Sequence, residues 1–330
     1  MNEKKINYSR PILTINNLKK YYVIRNGLIH RKIGYVRAVD DINLTIYRGE
    51  TLGLVGESGC GKSTLGLTIV GLEKPTSGTI LFEGRDLARK NKKFKQCTDI
   101  QMIFQDPISS LDPRMSVADI IAEPLKIRGK ITSNKIVRRV DSLLDSVGLS
   151  TQYRAKFSYE LSGGECQRIG IARALALKPK IIICDEPVSA LDISVQLQIL
   201  DLLKDLQSQY NLTYLFIAHG LNAVRYISDY IAVMYMGNIV EYAETESIFD
   251  NPQHPYTKAL LSANLSIDPN NRIENHTIPM GEIPNPLHTP RGCKFQTRCS
   301  LASELCKKFS PKLRGTKHKV ACLKKNSNRR

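Results

Sequence analysis

The stretch from Gly56 to Thr64, GESGCGKST, restricts the possible fold of this chain more than any other part of the sequence. It matches the pattern G-x-x-x-x-G-K-[ST], with an apolar run (Thr51–Val55) before it and an apolar helical segment (Leu65–Gly71) after it. Glycines let the backbone turn sharply, so that consecutive N–H groups face one phosphate, and a helix N-terminus adds partial positive charge. A strand, a glycine-rich turn and a helix in this order predict a phosphate-binding loop.

Two side chains of this loop carry specific chemistry. Lys62 supplies a compact cation for the β- and γ-phosphates of a nucleotide, and the hydroxyl of Ser63 can ligate Mg²⁺. The motif indicates a nucleotide-binding protein but does not identify its reaction. The predicted nucleotide contacts in the loop are Gly56, Glu57, Ser58, Gly59, Cys60, Gly61, Lys62, Ser63 and Thr64.

The length and charge of the chain limit its domain organisation and the kinds of partner it can bind. The 330 residues are enough for one large α/β domain with a smaller addition. The formal net charge is +17, and the last 41 residues, from Pro290, hold 13 Lys and Arg but one acidic residue, Glu304. Such a tail favours an anionic partner, which is nucleic acid, a membrane surface or the chain's own thiolates; a solvated tail with no partner is the alternative.

The N-terminus and the hydropathy pattern indicate where in the cell the protein is located. The first ten residues resemble no signal peptide, and no apolar run reaches 18 residues. We therefore expect a cytoplasmic protein that does not span a membrane. Its eight cysteines should be mostly reduced unless a metal holds them.

The remaining pattern predicts alternating strands and helices. Tyr21 and Tyr22, at the end of the first predicted strand, could stack on a base or pack in the core. Helical periodicity in Asn134–Val147 indicates a mostly helical insertion, together with Val117–Leu125. The predicted strands are Ile12–Tyr22 and Val36–Tyr47, with a basic loop at Arg25–Arg37 between them, then Thr79–Glu83, Ile100–Phe104, Ile181–Cys184 and Thr213–Ala218.

The stretch LSGGECQR predicts a second helix N-terminus that could bind an anion. Ser162 is a candidate N-cap for the helix at Ile169–Leu177, and Gly163 and Gly164 expose backbone N–H groups there. Asp192 is expected to cap the next helix, which runs to Tyr210. A helix start with two glycines is common, so this signal alone is weak.

Polar residues follow three of the predicted strands. Gln105 follows one, Asp185 and Glu186 follow the apolar run IIIC, and His219 follows another. The carboxyl ends of parallel strands line one crevice, where adjacent carboxylates need partners. Mg²⁺ would suit Asp185, and an attacking water would suit Glu186.

In this arrangement the chain resembles the ATP-binding cassette (ABC) of ABC transporters. The matching stretches, in family order from Ile12 to about Tyr242, are GESGCGKST, FQDP, LSGGECQR, IIICDEP, SALD and IAH. The resemblance implies an α/β P-loop NTPase fold, with a mixed and largely parallel sheet core, an antiparallel β subdomain and a helical subdomain. The cassette would span residues 1–250, with its helical part at about 107–160.

The resemblance narrows to one type of ABC protein. QMIFQDPISSLDPRMSV, RIGIARALALKPKIIICDEPVSALDISVQ and HPYTKALLSA are similar to the second ATPase of bacterial oligopeptide/dipeptide importers, a group that includes nickel-import ATPases. It implies an ATPase that works with a second ABC ATPase, two transmembrane permeases and an extracytoplasmic substrate-binding protein. Such a chain lies peripherally on the cytoplasmic face of the membrane and is not expected to act on nucleic acid.

The resemblance also implies residue roles. Tyr22 would stack on adenine, Ser63, Gln105 and Asp185 would serve Mg²⁺, and Ser162, Gly163, Gly164 and Asp192 would meet ATP at the dimer interface. The catalytic set would be Lys62, Gln105, Glu186 as general base and His219. Two positions depart from the family: Glu165 stands where Gln is most common, and Gly220 where Asp is common.

The C-terminal part, 251–330, is expected to be an extension with a proline-rich linker at 264–290 and four cysteines, Cys293, Cys299, Cys306 and Cys322. Their spacing lacks the close pairs of a zinc ribbon. It is similar to the terminal cysteine motif of importer ATPases, which implies a [4Fe–4S] cluster; zinc, with His318 as a spare ligand, and plain cysteines are the alternatives. Cys60, Cys97, Cys166 and Cys184 are expected to be packing residues.

Two other functions compete with the importer ATPase. A soluble cassette protein acting on nucleic acid would use the basic tail, but one cassette without a heptad array argues against it. The other is a metal-sensing binding module whose cassette no longer turns over. The presence of Glu186 and His219 argues against that alternative.

Overall fold

The computed structural model describes residues 7–26, 31–87, 98–129, 132–264 and 284–326, which form two compact units. The first unit contains 7–10, 47–51 and the described part of 91–218, and the second contains the rest. The strands are β1 Asn7–Asn26, β2 Arg31–Arg48, β3 Thr51–Val55, β4 Ser77–Phe82, β5 Arg85–Asp86, β6 Ile100–Ile103, β7 Ile181–Asp185, β8 Thr213–Ile217, β9 Tyr230–Tyr235, β10 Asn238–Glu244 and β11 Lys319–Val320. The helices are α1 Lys62–Ile69, α2 Val117–Arg128, α3 Ser133–Ser146, α4 Gly163–Leu175, α5 Ile193–Tyr210, α6 Leu221–Ile227, α7 Thr245–Asp250, α8 Pro255–Asn264, α9 Glu304–Lys308 and α10 Leu323–Asn326.

The core of the first unit is a group of parallel strands. β7 pairs with β6 on one side and with β8 on the other. Every residue of β7 and β8 is buried, as their unbroken apolar sequences indicate. This arrangement brings the carboxyl ends of β6, β7 and β8 to the same edge.

The helical part of the first unit follows the predicted periodicity. Helix α3 buries Val140, Leu143 and Leu144 on one face, whereas Val137 is 48% exposed. Between α3 and α4 the chain forms two short 3-10 helices, at Thr151–Ala155 and Ser158–Glu160. Helix α2 begins at an N-cap, Ser116, whose side chain accepts a hydrogen bond from the N–H of Asp119.

The second unit contains β3 next to β9 in parallel, followed by the antiparallel strands β10 and β11. β11 comes from the C-terminal region and pairs with Glu241 and Tyr242 of β10. A separate sheet has the order β2-β1-β4-β5, in which β1 pairs antiparallel with β4. This mixed α/β architecture confirms the predicted fold class.

Some predicted boundaries were wrong. The chain is already in β2 at Arg31, so most of the basic loop expected at Arg25–Arg37 is strand; its basic residues gave no clear strand pattern in the sequence. Helix α1 begins at Lys62, three residues earlier than expected, because the glycine turn itself forms the helix start. Cys97 and most of the linker expected at 264–290 lie outside the described residues. Among the described helices, none is long and apolar enough to cross a membrane.

Candidate functional site

The phosphate-binding loop lies between the buried strand β3 and helix α1. Its last glycine, Gly61, is the N-cap of α1 and has a φ of 109°, a left-handed value that favours glycine. A Cβ atom on Gly61 would lie 1.9 Å from the backbone oxygen of Ala38. Only glycine therefore fits at this turn, and the N-terminus of α1 opens directly from it.

Lys62 lies inside this loop. Its ammonium donates hydrogen bonds to the backbone oxygens of Gly56, at 2.8 Å, and Glu57, at 3.2 Å, and the residue is 4% exposed. The carbonyls hold the charge at the concave side of the loop, where a polyphosphate needs a cation. Ser63 and Thr64 follow in the first turn of α1 and are half-buried, whereas Ser58 and Gly59 are exposed at the tip of the loop.

Cys60 is a buried residue of the loop. It is 6% exposed, and burial raises the pKa of its thiol above the ordinary value. The reactive thiolate is therefore disfavoured, in agreement with the prediction of a packing role. Cys166 and Cys184 are also buried, with thiol pKa values raised by burial.

Two carboxylates stand at the end of β7. Asp185 is 6% exposed and Glu186 is 5% exposed. The side-chain amide of Gln105, just beyond β6, donates a hydrogen bond of 2.9 Å to the carboxylate of Glu186. The backbone of Glu186 has a φ of 47°, which is uncommon for a residue other than glycine, and its N–H donates to Ile217 of β8. The first unit thus brings together two of the predicted catalytic residues and fixes the direction of the Glu186 carboxylate.

The helix start at Ser162 is a capping box. The Ser162 hydroxyl accepts a hydrogen bond from the N–H of Glu165, and the Glu165 carboxylate accepts from the N–H of Ser162, at 2.8 Å. Ser162 is exposed, and Gly163 and Gly164 form the first turn of α4 behind it. A Cβ atom on Gly164 would lie 2.7 Å from the side chain of Val195, so this close packing requires a glycine.

Glu165, one of the two departures from the family pattern, has further partners. Its carboxylate also accepts from the hydroxyls of Ser162, at 2.8 Å, and Tyr153, at 2.5 Å. The hydrogen bond from Tyr153 is the main reason that its pKa lies below the ordinary value. The start of α4 is therefore intact with Glu at this position, and the side chain stays negatively charged at neutral pH.

The other predicted site residues have simpler surroundings. Tyr22 lies half-buried on β1, with the Lys20 ammonium 4.7 Å from its ring centroid. His219 is exposed just beyond β8. Asp192 is the N-cap residue of α5, which ends at Tyr210 as expected, but its side chain makes no capping hydrogen bond. Its side chain is exposed.

Sequence reasoning missed the long-range contacts of the phosphate-binding loop, among them one made by Tyr256. The hydroxyl of Tyr256, on α8, accepts a hydrogen bond of 2.8 Å from the N–H of Glu57. Tyr256 is fully buried, and its place in HPYTKALLSA gave no sign of a partner 199 positions earlier. Long-range contacts of this kind leave no periodic signal in one sequence.

The four C-terminal cysteines lie in the same compact unit. The N–H of Cys293 donates to the backbone oxygen of Cys306, at 2.8 Å. Burial raises the pKa of Cys293 to about 11, and the neighbouring Cys299, Cys306 and Cys322 contribute to this shift. Within the described ranges, no group of three or more His, Cys, Asp or Glu is arranged to hold a metal ion. Four thiols are nevertheless the number of donors that an iron–sulfur cluster uses.

Comparison with known families gives two matches along the chain. The family model described as "ABC transporter" matches residues 39–189, which include the phosphate-binding loop and Glu186. The model described as "Oligopeptide/dipeptide transporter, C-terminal region" matches residues 240–306, from β10 to Cys306.

Curated proteins of similar sequence align with most of this chain. The oligopeptide transport ATP-binding protein AppF of Bacillus subtilis is 46% identical over 94% of this chain and 96% of its own length. OppF of Escherichia coli is 46% identical over 96% of each chain. OppF of Lactococcus lactis subsp. lactis is 52% identical over 80% of this chain and 83% of its own.

Two solved structures share the cassette fold. The ATP-binding cassette MJ0796, in a post-hydrolysis dimer bound to ADP and Pi, has a TM-score of 0.62 at 28% identity, covering 71% of this chain and 98% of its own. CbiO1 from Clostridium perfringens, part of the ABC transporter complex cbiONQ, has a TM-score of 0.63 at 27% identity, covering 78% of this chain and 97% of its own.

Proposed function

The chain belongs to the ATP-binding proteins of the ABC transporter family, and we propose that it powers the import of oligopeptides or dipeptides across the cytoplasmic membrane. The observation that carries the choice of cargo is the match of residues 240–306 to the C-terminal region of oligopeptide/dipeptide transporters. This region lies beyond the nucleotide motifs, which end at His219 and indicate no cargo.

ATP would bind with its β- and γ-phosphates at the loop from Gly56 to Thr64, and Lys62 would neutralise part of their charge. Tyr22 would stack on the adenine. Mg²⁺ would supply charge neutralisation at the phosphates, and the hydroxyl of Ser63, the amide oxygen of Gln105 and the carboxylate of Asp185 suit its preference for oxygen ligands.

Glu186 would act as the general base. Its carboxylate would orient a water molecule and take its proton as the water oxygen attacks the γ-phosphorus. The bond from this phosphorus to the β–γ bridging oxygen breaks, and ADP and phosphate leave. The hydrogen bond from Gln105 supports this role because it holds the Glu186 carboxylate in one direction. His219 would hold the γ-phosphate.

The helix start at Ser162 would serve a different nucleotide. Ser162, Gly163 and Gly164 are proposed to contact ATP held by a second ABC ATPase, with Asp192 near the same interface. The exposure of Ser162 at the N-terminus of α4 supports this role, since the backbone N–H groups there suit an anion. ATP would thus join two ATPases, and hydrolysis would separate them.

The proposed assembly includes two transmembrane permeases and an extracytoplasmic substrate-binding protein. Residues 106–125, which follow Gln105, would pass the motion of the ATPases to the permeases. The chain would lie on the cytoplasmic face of the membrane, with residues 1–250 as the cassette and 251–330 as the C-terminal extension.

We also propose that Cys293, Cys299, Cys306 and Cys322 hold a [4Fe–4S] cluster. The four cysteines in a pattern similar to the terminal motif of importer ATPases support this proposal, and the many Lys and Arg residues of this region would offset the negative charge of four thiolates. Chain purified without oxygen should contain about four iron atoms and four labile sulfides. Zinc in place of iron, or neither metal, would contradict the proposal, and a variant with serine at all four positions is the control.

The assembly is tested by purifying the tagged full chain from its native membranes in mild detergent without oxygen. Mass spectrometry should identify a second ABC ATPase, two multi-span permeases and a binding protein, whose bound ligands should be peptides. Recovery with ribosomal proteins or nucleic acid instead would contradict the proposal. If the binding protein instead carries nickel or another metal chelate, the chain would still be an importer ATPase, but its cargo would be that chelate and not peptides.

A further inference from the structure

The segment from Cys293 to Cys299, CKFQTRC, lies in the same compact unit as the phosphate-binding loop. We call it the cysteine-flanked segment. Two of its side chains are well buried: Phe295 is 3% exposed and Arg298 is 9% exposed. A cationic residue is rarely buried without a specific partner, so the surroundings of Arg298 call for an explanation.

Arg298 is paired with a residue of the phosphate-binding loop. Its two terminal nitrogens donate hydrogen bonds of 2.8 and 3.0 Å to the two carboxylate oxygens of Glu57. Such a bidentate pair fixes both position and orientation. It also neutralises a carboxylate that would otherwise repel the phosphates of a nucleotide bound at the same loop.

The same segment supports the backbone of Glu57. The ring of Phe295 packs against Tyr256 and Tyr235, with centroid separations of 5.5 and 5.2 Å. Tyr256 in turn accepts the hydrogen bond from the N–H of Glu57. Both the side chain and the backbone of Glu57 are therefore held by elements that meet at the cysteine-flanked segment.

Lys294 extends this support to β1 and β2. Its ammonium donates hydrogen bonds of 2.8 Å to the carboxylate of Asp40 and to the backbone oxygen of Met236. The other oxygen of Asp40 accepts from the hydroxyl of Tyr21, at 2.5 Å. Tyr21 is the strand neighbour of Tyr22, so this network fixes the part of β1 that presents Tyr22.

From these contacts we infer that Arg298 and Lys294 are positioning residues for the nucleotide, and that the cysteine-flanked segment sets the affinity of the chain for ATP. Arg298 acts through Glu57, and Lys294 acts through Asp40 and Tyr21. The inference rests on the proposed binding of ATP at the loop from Gly56 to Thr64. It gives the C-terminal region a role, because the segment between Cys293 and Cys299 shapes the nucleotide site.

The test measures binding of MgATP to the purified full chain by calorimetry. Arg298→Ala should weaken binding about tenfold or more, because it leaves the Glu57 carboxylate unpaired. Arg298→Lys keeps the charge but loses the bidentate geometry, so its affinity should be intermediate. Lys294→Met should weaken binding severalfold. Arg314→Ala removes an exposed arginine of the same C-terminal region and should leave the affinity unchanged.

A second measurement separates positioning from general stability. In ATP hydrolysis by the assembled transporter, Arg298→Lys should raise KM with kcat within about twofold of wild type, because Arg298 does not touch the reacting atoms. Thermal unfolding without nucleotide checks that each variant is folded. If Arg298→Ala does not fold, Arg298→Lys and Lys294→Met still test whether these residues position the nucleotide.

The outcomes distinguish the proposed function from the inference about Arg298 and Lys294. Wild-type chain that does not bind ATP would contradict the proposed function. Wild-type chain that binds ATP, together with folded Arg298 and Lys294 variants of equal affinity, would overturn the inference and leave the proposed function standing. A fall in kcat without a change in KM or affinity would also overturn it.

Discussion

The side-chain amide of Gln105 lies 2.9 Å from the carboxylate of Glu186 and donates a hydrogen bond to it. The two residues stand at the ends of neighbouring parallel strands, 81 positions apart in sequence. The contact gives the Glu186 carboxylate one defined direction in a buried position, as general-base catalysis requires.

Glu186→Gln should lower ATP hydrolysis by about 100-fold or more, since general acid–base groups contribute on this scale. ATP binding should persist, because the substitution keeps the shape of the side chain and an oxygen that can accept from Gln105. Phosphate release and nucleotide binding by the assembled transporter check both statements. Glu246→Gln, at an exposed glutamate of α7, is the matched control and should hydrolyse ATP normally. Equal rates for wild type and Glu186→Gln would show that the activity belongs to another site.

Gly61→Ala should abolish ATP binding and destabilise the chain by about 2 kcal/mol, because the added Cβ meets the Ala38 oxygen in a strained backbone conformation. Gly220→Ala makes the matched control: its φ is −77° and no atom lies within 4 Å of the added Cβ. Denaturant unfolding and calorimetry with MgATP should therefore separate the two variants. Normal binding by Gly61→Ala would contradict the geometry of the loop.

Glu165→Gln should leave the fold nearly unchanged, with a difference in unfolding free energy of about 0.5 kcal/mol or less, because glutamine also completes a capping box. It removes a negative charge beside Ser162, which we propose contacts the ATP held by the partner ATPase. ATP-dependent association with the partner ATPase should strengthen severalfold. Weaker association would argue that Glu165 assists the interface. Glu304→Gln, at another exposed glutamate, is the control.

His254 should make stability depend on pH. It is 2% exposed, and burial lowers its pKa from 6.5 to about 4. Between these values the unfolded chain binds a proton that the folded chain does not, so the free energy of unfolding should fall as pH decreases. The slope contributed by this one residue is at most about 1.4 kcal/mol per pH unit.

Denaturant unfolding of wild type and His254→Gln between pH 7 and about pH 4 measures this contribution as the difference between two slopes. The carboxylate of Glu241, which accepts a hydrogen bond from the N–H of His254, is present in both proteins. His288→Gln, at an exposed histidine, is the control substitution. Equal slopes for wild type and His254→Gln would show that His254 titrates normally.

The local parts of the site could be predicted from sequence. The loop from Gly56 to Thr64 and the carboxylates after β7 each depend on a few consecutive residues, and their glycines and apolar runs are visible directly. The cap at Ser162 was equally local. Asp192 shows the limit of this reasoning, because a residue suited to the N-cap position need not make the capping bond.

The contacts between distant segments could not be predicted. Arg298 and Glu57 are 241 positions apart, and neither stands out in sequence: one is a charged residue in a basic tail, the other a variable position of the loop motif. Tertiary packing alone brings them together. For the same reason the sequence did not indicate that β11, near the C-terminus, pairs with β10.

Peptide uptake by the assembled transporter, reconstituted in lipid vesicles with its binding protein, tests the central claim most directly. With ATP on the side of the ATPases, we expect wild-type complex to move peptide across the bilayer, and Glu186→Gln in this chain to reduce uptake to about one-hundredth or less. ATP hydrolysis without movement of any peptide, or uptake by the Glu186→Gln complex at the wild-type rate, would contradict the claim that this chain powers peptide import.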